Sequence, residues 1–135
     1  MEVCEPKMPR FSAIIPARSG SKSIKDKNLT LLGGHPLIAY SIALAKTTEG
    51  IDRVIVSTDS LEYAKIAEKY GAEVPFLRPE VLSQDNSTDY DFMSHAVNWF
   101  DDNSKDSPDF WIHLRPTTPL RESHVVKAAM SLITD

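Results

Sequence analysis

Apolar positions along this chain follow two periods, one of strands and one of helices. Residues 11–16 (FSAIIP) form a short apolar run closed by proline, and residues 53–58 (RVIVST) are short and β-branched, so both predict buried strands. Residues 110–114 (FWIHL) predict another buried strand, and residues 73–77 (EVPFL) a further one that Pro75 restricts to an edge or a strand end. Between them, residues 36–48 (PLIAYSIALAKTT) predict a helix with Pro36 at its first position, after a turn at Gly33-Gly34-His35. Asp59 and Glu62 have capping-box spacing for a helix through Tyr70, which Gly71 stops. Phe92, Ala96, Val97 and Phe100 share one face of a helix capped by Thr88 or Asp89. Residues 101–109 read as a solvated connection, and a last helix begins near Ser123.

Strands alternating with helices predict an α/β fold, a mainly parallel sheet with helices on both faces. Residues 1–10 are expected to be an N-terminal tail and residues 11–135 one domain, with no repeat or linker to divide it. Ligands of such sheets bind beyond the carboxyl ends of the strands. The segments that follow Ile15, Ser57, Leu77 and Leu114 are therefore the ones to carry chemistry.

Composition narrows the function classes. The chain has 135 residues, 41% hydrophobic and 25% charged, with a formal net charge of -4. That is the make-up of an ordinary globular domain, and the acidic balance argues against a general nucleic-acid binder. A single cysteine, Cys4, allows neither an internal disulfide nor a thiolate metal cluster. The first ten residues lack the apolar core of a signal peptide, and no apolar run of about 18 residues could span a membrane. A cytoplasmic protein without membrane or nucleic-acid partners is expected.

Against that acidic background, Arg18, Lys22, Lys25 and Lys27 crowd into residues 18–28 beside a single acid, Asp26. Ser19, Gly20, Ser21 and Ser23 are small enough to let backbone N–H groups approach an anion, and the cations suit a polyphosphate. Neither GxGxxG nor GxxxxGK[ST] is present, and spacing alone fits a solvated lysine loop as well as a phosphate site. Asp59 ends a strand, where an acid suits either Mg²⁺ or a helix cap. His35, His95, His113 and His124 lack metal-ligand spacing, and no nucleophile and base pair stands out, so the histidines are expected to be structural. Trp99, Phe100, Phe110 and Trp111 are expected mostly in the core or an interface.

The run IPARSGSKSIKDKNL (15–29) resembles the signature loop of the CMP-sialic acid synthetase (acylneuraminate cytidylyltransferase) family, IPARxGSKxIPxKN. The resemblance continues through LGGHPLIAYSI, VIVSTDS, FLRPEVLSQDNST and LRPTTPLRE, from Phe11 to Glu122. It departs at Ser23, where the family usually has Gly, and at Lys25, where it has Pro. It implies the Rossmann-like fold of nucleotide-diphospho-sugar transferases, represented here by its N-terminal, CTP-binding portion. The implied reaction joins CTP to a nine-carbon keto-sugar acid of the sialic, legionaminic or pseudaminic type, giving the CMP-sugar and pyrophosphate.

By position, the resemblance assigns Arg18, Lys22, Lys27 and Asn28 to the triphosphate and ribose side, with Arg18 and Lys27 taking the catalytic charge. It puts Arg78 near the nucleotide, and Ser87 and Asp89 at the cytosine and ribose. Ser87, Thr88 and Asp89 serve equally well as a helix cap. Arg115 and Thr117 of RPTTPLR match sugar-proximal positions, with Arg115 where many members carry Gln. Arg115 suits a sugar carboxylate, or stands as a strand-end cation in solvent. The resemblance further implies Mg²⁺, whose main ligands in the family lie beyond residue 135, and a homodimer in full-length members. Two other readings remain: a catalytically silent CTP-binding module, and a cytidylyltransferase for an eight-carbon lipopolysaccharide sugar acid.

Overall fold

The computed structural model describes residues 9–20, 26–84, 86–103, 107–116 and 121–134. Lys22 and Thr117, and with them Ser21, Ser23 and Lys25, lie outside the described residues. Three parallel strands make the central sheet: β1 (Phe11–Pro16), β4 (Ile51–Ser57) and β5 (Phe110–His113), with β1 in the middle. Pairing runs from Phe11 opposite Ile51 to Pro16 opposite Ser57 on one side, and from Phe11 opposite Phe110 to Ile14 opposite His113 on the other. Bonds from the Ala17 N–H to the Ser57 carbonyl (2.9 Å) and from the Leu114 N–H to the Ile14 carbonyl (3.0 Å) carry both ladders one residue further.

The strand period of two sorts the core into two layers. Ala13, Ile15, Val54 and Val56 face helices α1 (Leu37–Thr47), α2 (Leu61–Lys69) and α4 (Ser123–Thr134), through Ile38, Ile42, Tyr63, Ala67, Val126 and Met130 among others. Ile14 and Ile55 point the other way, onto Phe92, Ala96 and Phe100 of α3 (Asp89–Asn103) and onto Phe76. Both faces of the sheet are thus covered, as the apolar runs of β1 and β4 require.

Several boundaries differ from the sequence expectation, each for a local reason. Pro36 is not the first helical residue. It is extended (φ -64°, ψ 150°) and pairs with Leu31 in a hairpin of β2 (Leu31–Leu32) and β3 (His35–Pro36). Gly33 and Gly34, at φ 61° and 86°, supply the two left-handed positions of that tight turn. Asp59 does not cap α2. Ser60 does, accepting a bond from the Tyr63 N–H at 3.3 Å. Residues 73–77 contribute only one bridge, Ile55 opposite Glu73, and Pro75 lets it go no further. The connection expected from Asp101 is helical through Asn103, whose side-chain amide donates to the Trp99 carbonyl at 3.1 Å. Strand β5 ends at His113 and is only partly buried, with Phe110 38% exposed and stacked on Phe11.

At the β4 edge, Arg53 donates to both carboxylate oxygens of Glu73, 3.0 Å each, while its guanidinium lies 5.0 Å from the Phe100 ring centre. This fork holds the bridge strand against the sheet and pulls the Glu73 pKa below its ordinary value, against a smaller opposing push from burial. Among the described residues, nothing pairs with the outer edge of β5. No described helix is long and apolar enough to cross a membrane.

Ile14 is fully buried between the sheet and α3, so Ile14→Ala should destabilise the fold by about 2–5 kcal/mol. Leu132→Ala, at a side chain 81% exposed, should shift it by less than about 0.5 kcal/mol. Urea unfolding of both variants measures the contrast.

Candidate active site

Beyond the carboxyl ends of β1 and β5 the chain encloses a cavity of about 250 Å³. Strand order β4-β1-β5 means the chain leaves β1 to one side and later returns to the other, and the crevice opens where the order reverses. Arg18, Gly20, Lys27 and Asn28 line it from the loop after β1, and Arg115 and Pro116 from the end of β5. Arg78 and Phe92 lie against it as well, with Ser87, Thr88 and Asp89 at the start of α3. Seven sequence-chosen residues therefore meet in one place: Arg18, Lys27, Asn28, Arg78, Ser87, Asp89 and Arg115. Lys22 and Thr117 are outside the described residues.

Asp59, Asn28 and Asp26 each tie down a described part of the loop after β1. Both oxygens of the Asp59 carboxylate are engaged by Ser19, which donates its backbone N–H and its hydroxyl at 2.8 Å each. Asn28, only 7% exposed, donates its amide to the Arg18 carbonyl at 3.1 Å and so closes the loop on itself. Asp26 sits at φ 52°, a left-handed position unusual for a residue with a side chain, and the buried Tyr63 hydroxyl donates to its carboxylate at 2.7 Å. Burial above all, and then this bond to Asp26, push the Tyr63 pKa far up, so the phenol stays a donor. These clamps spare Lys27, whose ammonium has no hydrogen bond or ion pair among the described residues.

Arg78, expected near the nucleotide, is the most deeply buried cation of the crevice. It is 5% exposed, yet its bonds go to neutral acceptors: Nε to the Ser57 hydroxyl at 3.1 Å, Nη2 to the Ser57 carbonyl at 2.8 Å, and Nη1 to the Leu82 carbonyl at 3.4 Å. Its guanidinium lies over the Phe92 ring, 5.3 Å from the centre. Burial lowers its pKa to about 10; Asp59 opposes that shift and Arg18, a like charge, adds to it. The guanidinium remains charged at neutral pH and carries no salt bridge among the described residues.

The start of α3 resolves the two roles open to residues 87–89. Thr88 is the cap: it accepts from the Asp91 N–H at 3.2 Å, and Asp91 accepts from the Thr88 N–H at 2.8 Å. Ser87 closes a turn, accepting from the Gln84 N–H at 3.0 Å. Asp89 is left without a capping task and forms an ion pair with Arg115 across the cavity. Arg115 is accordingly half-exposed but not an unpartnered strand-end cation.

Asp59 is committed to Ser19 and Asp89 to Arg115, and no cluster of three potential metal ligands occurs among the described residues. The histidines are elsewhere or beneath. His113 and His95 pack edge-on against Phe92 and Phe76, and each leaves one buried ring nitrogen without a partner. Burial is the main cause that lowers both pKa values.

The architecture is that of an α/β protein whose cationic crevice lies beyond the carboxyl ends of a parallel sheet. Residues 12–132 match the sequence profile of the family described as Cytidylyltransferase, and the chain belongs to that family. It is 44% identical over 120 residues to the N-acylneuraminate cytidylyltransferase of Escherichia coli O18:K1:H7, covering 88% of this chain and 27% of that protein. It is 37% identical over 129 residues to the CMP-N,N'-diacetyllegionaminic acid synthase of Legionella pneumophila, covering 91% of this chain and 53% of that one. The chain thus spans between about a quarter and a half of the curated relatives it matches. Its fold is shared with a CMP:2-keto-3-deoxy-manno-octonic acid synthetase solved with CTP, at a TM-score of 0.79 and 21% identity, over 93% of this chain and 48% of that one.

The two histidines generate a pH prediction. Their folded pKa values lie below the unfolded value of about 6.5, so folding favours the neutral rings. That stability is complete above about pH 6.5 and is lost as pH falls through 6.5 towards the folded values. Melting temperatures taken from about pH 7.5 down to about 5.5 should decline, and His95→Gln with His113→Gln should flatten that part of the curve.

Proposed function

We propose that this chain forms the nucleotide half of a cytidylyltransferase site, at which CTP is joined to a nine-carbon keto-sugar acid to give a CMP-sugar and pyrophosphate. The observation that carries this reading is the convergence of Arg18, Lys27, Asn28 and Arg78 on one crevice at the sheet's switch point. Arg18 and Lys27 receive the triphosphate and offset charge on the departing pyrophosphate, while buried Arg78 adds positive potential from below. Asn28 and Asp89 lie on the ribose side, and Ser87 at the cytosine, whose exocyclic amine needs an acceptor. In the reaction, the anomeric hydroxyl oxygen forms the new bond to the α-phosphorus, the bond to the β-phosphate oxygen breaks, and the hydroxyl proton leaves. The chain's part is to align the reactants and hold charge.

The substrates for which the relatives are named, N-acylneuraminate and legionaminic acid among them, support a nine-carbon acid over the eight-carbon alternative. Magnesium, a homodimer and a cytoplasmic setting belong to the same reading as family properties.

A second reading is a chain that binds CTP without turning it over. A pyrophosphate assay with CTP, Mg²⁺ and N-acetylneuraminate separates the two: release supports the enzyme, whereas thermal stabilisation by CTP with no release supports the binding module. Lys27→Ala should weaken CTP binding by about 1.5–3 kcal/mol, the value of a charged hydrogen bond, read by calorimetric titration. Unchanged affinity would return the loop to solvent.

A further inference from the structure

The Asp89–Arg115 ion pair joins two elements that have no other need of it. Thr88 and Asp91 already cap α3 reciprocally, so Asp89 is not required there. Among the described residues, Asp89 is the one partner of the Arg115 side chain, the two side chains are 53% and 55% exposed, and both line the cavity. A guanidinium and a carboxylate that meet over a crevice, with no structural duty elsewhere, occupy positions at which ligand groups of opposite charge would be received. The guanidinium suits an organic carboxylate. The carboxylate suits hydroxyl and amine donors of a nucleoside.

We propose that Asp89 is the internal stand-in for the carboxylate of the acid substrate at Arg115, and that breaking this pair couples the two substrates. The inference rests on the cytidylyltransferase reading above. An incoming acid needs Arg115 released, and an incoming nucleoside needs Asp89 released. Whichever ligand binds first opens the pair, and the second meets its partner already freed. Each ligand therefore tightens the other by the same factor, as linkage demands. An exposed ion pair of ordinary strength limits the factor to roughly two- to sixfold. Direct contact between bound acid and bound nucleotide would also couple them, but that coupling would not depend on Asp89.

The test is calorimetric titration of the 135-residue chain without Mg²⁺, so that nothing turns over. CTP is titrated with and without saturating N-acetylneuraminate, and the acid with and without CTP. In the wild type, each should tighten the other by roughly two- to sixfold. In Asp89→Asn, the acid should bind the nucleotide-free chain tighter than it binds the wild type by that same factor, and the mutual effect should fall to one. A merely structural Asp89 would not make acid binding tighter. Independent binding in the wild type, coupling that survives in Asp89→Asn, or failure of the acid to bind overturns the inference. Failure of CTP to bind the wild type overturns the cytidylyltransferase reading instead, so the two outcomes are distinct.

Discussion

A buried arginine without a carboxylate sets the terms for the rest of this site. Arg78 is held by the hydroxyl and carbonyl of Ser57, by the Leu82 carbonyl and by the face of Phe92. Neutral acceptors satisfy its N–H groups but leave its charge in place, and a desolvated charge is stable only where a counter-charge is near. Asp59 supplies part of that from a distance, while spending both of its oxygens on Ser19. Asp59 thus maintains the framework, and the cationic potential of Arg78 and Lys27 stays available to an anion entering the cavity.

The framework in turn depends on the sheet. Ser57 ends β4 directly opposite Pro16 in β1, so the group that grips Arg78 and the start of the cationic loop are fixed in one register. Tyr63 carries the same frame outward. Its ring is in the core between α2 and the sheet, and its hydroxyl reaches Asp26 at the far end of the loop. The two described ends of the loop are thereby tied to the frame, one through Asp59 after β4 and the other through Tyr63 in the core.

Much of this was legible in the sequence because the signals were local. The bounds of β1 follow from its apolar run and closing proline, and the cations after it stand out in an acidic chain. What was not legible required knowing which distant group wins a shared partner. Asp59 has the spacing of a helix cap, but Ser19, 40 residues away in sequence, captures its carboxylate and leaves the cap to Ser60. Arg115 reads as a solvent cation until α3 brings Asp89 across the cavity. Tyr63 carries no sequence signal beyond an aromatic residue with a polar tip on a core-facing helical position. The helix α3 outlasts its polar ending because Trp99 and Phe100 pack on Phe76 and Trp111.

The Arg53–Glu73 fork has an effect on the whole architecture. By fastening a single bridge beside β4, with Pro75 two residues on, it closes that margin to further strands, whereas no strand among the described residues pairs with the outer margin of β5. The sheet is therefore polar in its capacity for growth. Any additional strand is steered to the flank that ends at Arg115, so an extension of the sheet and an enlargement of the crevice would be the same event.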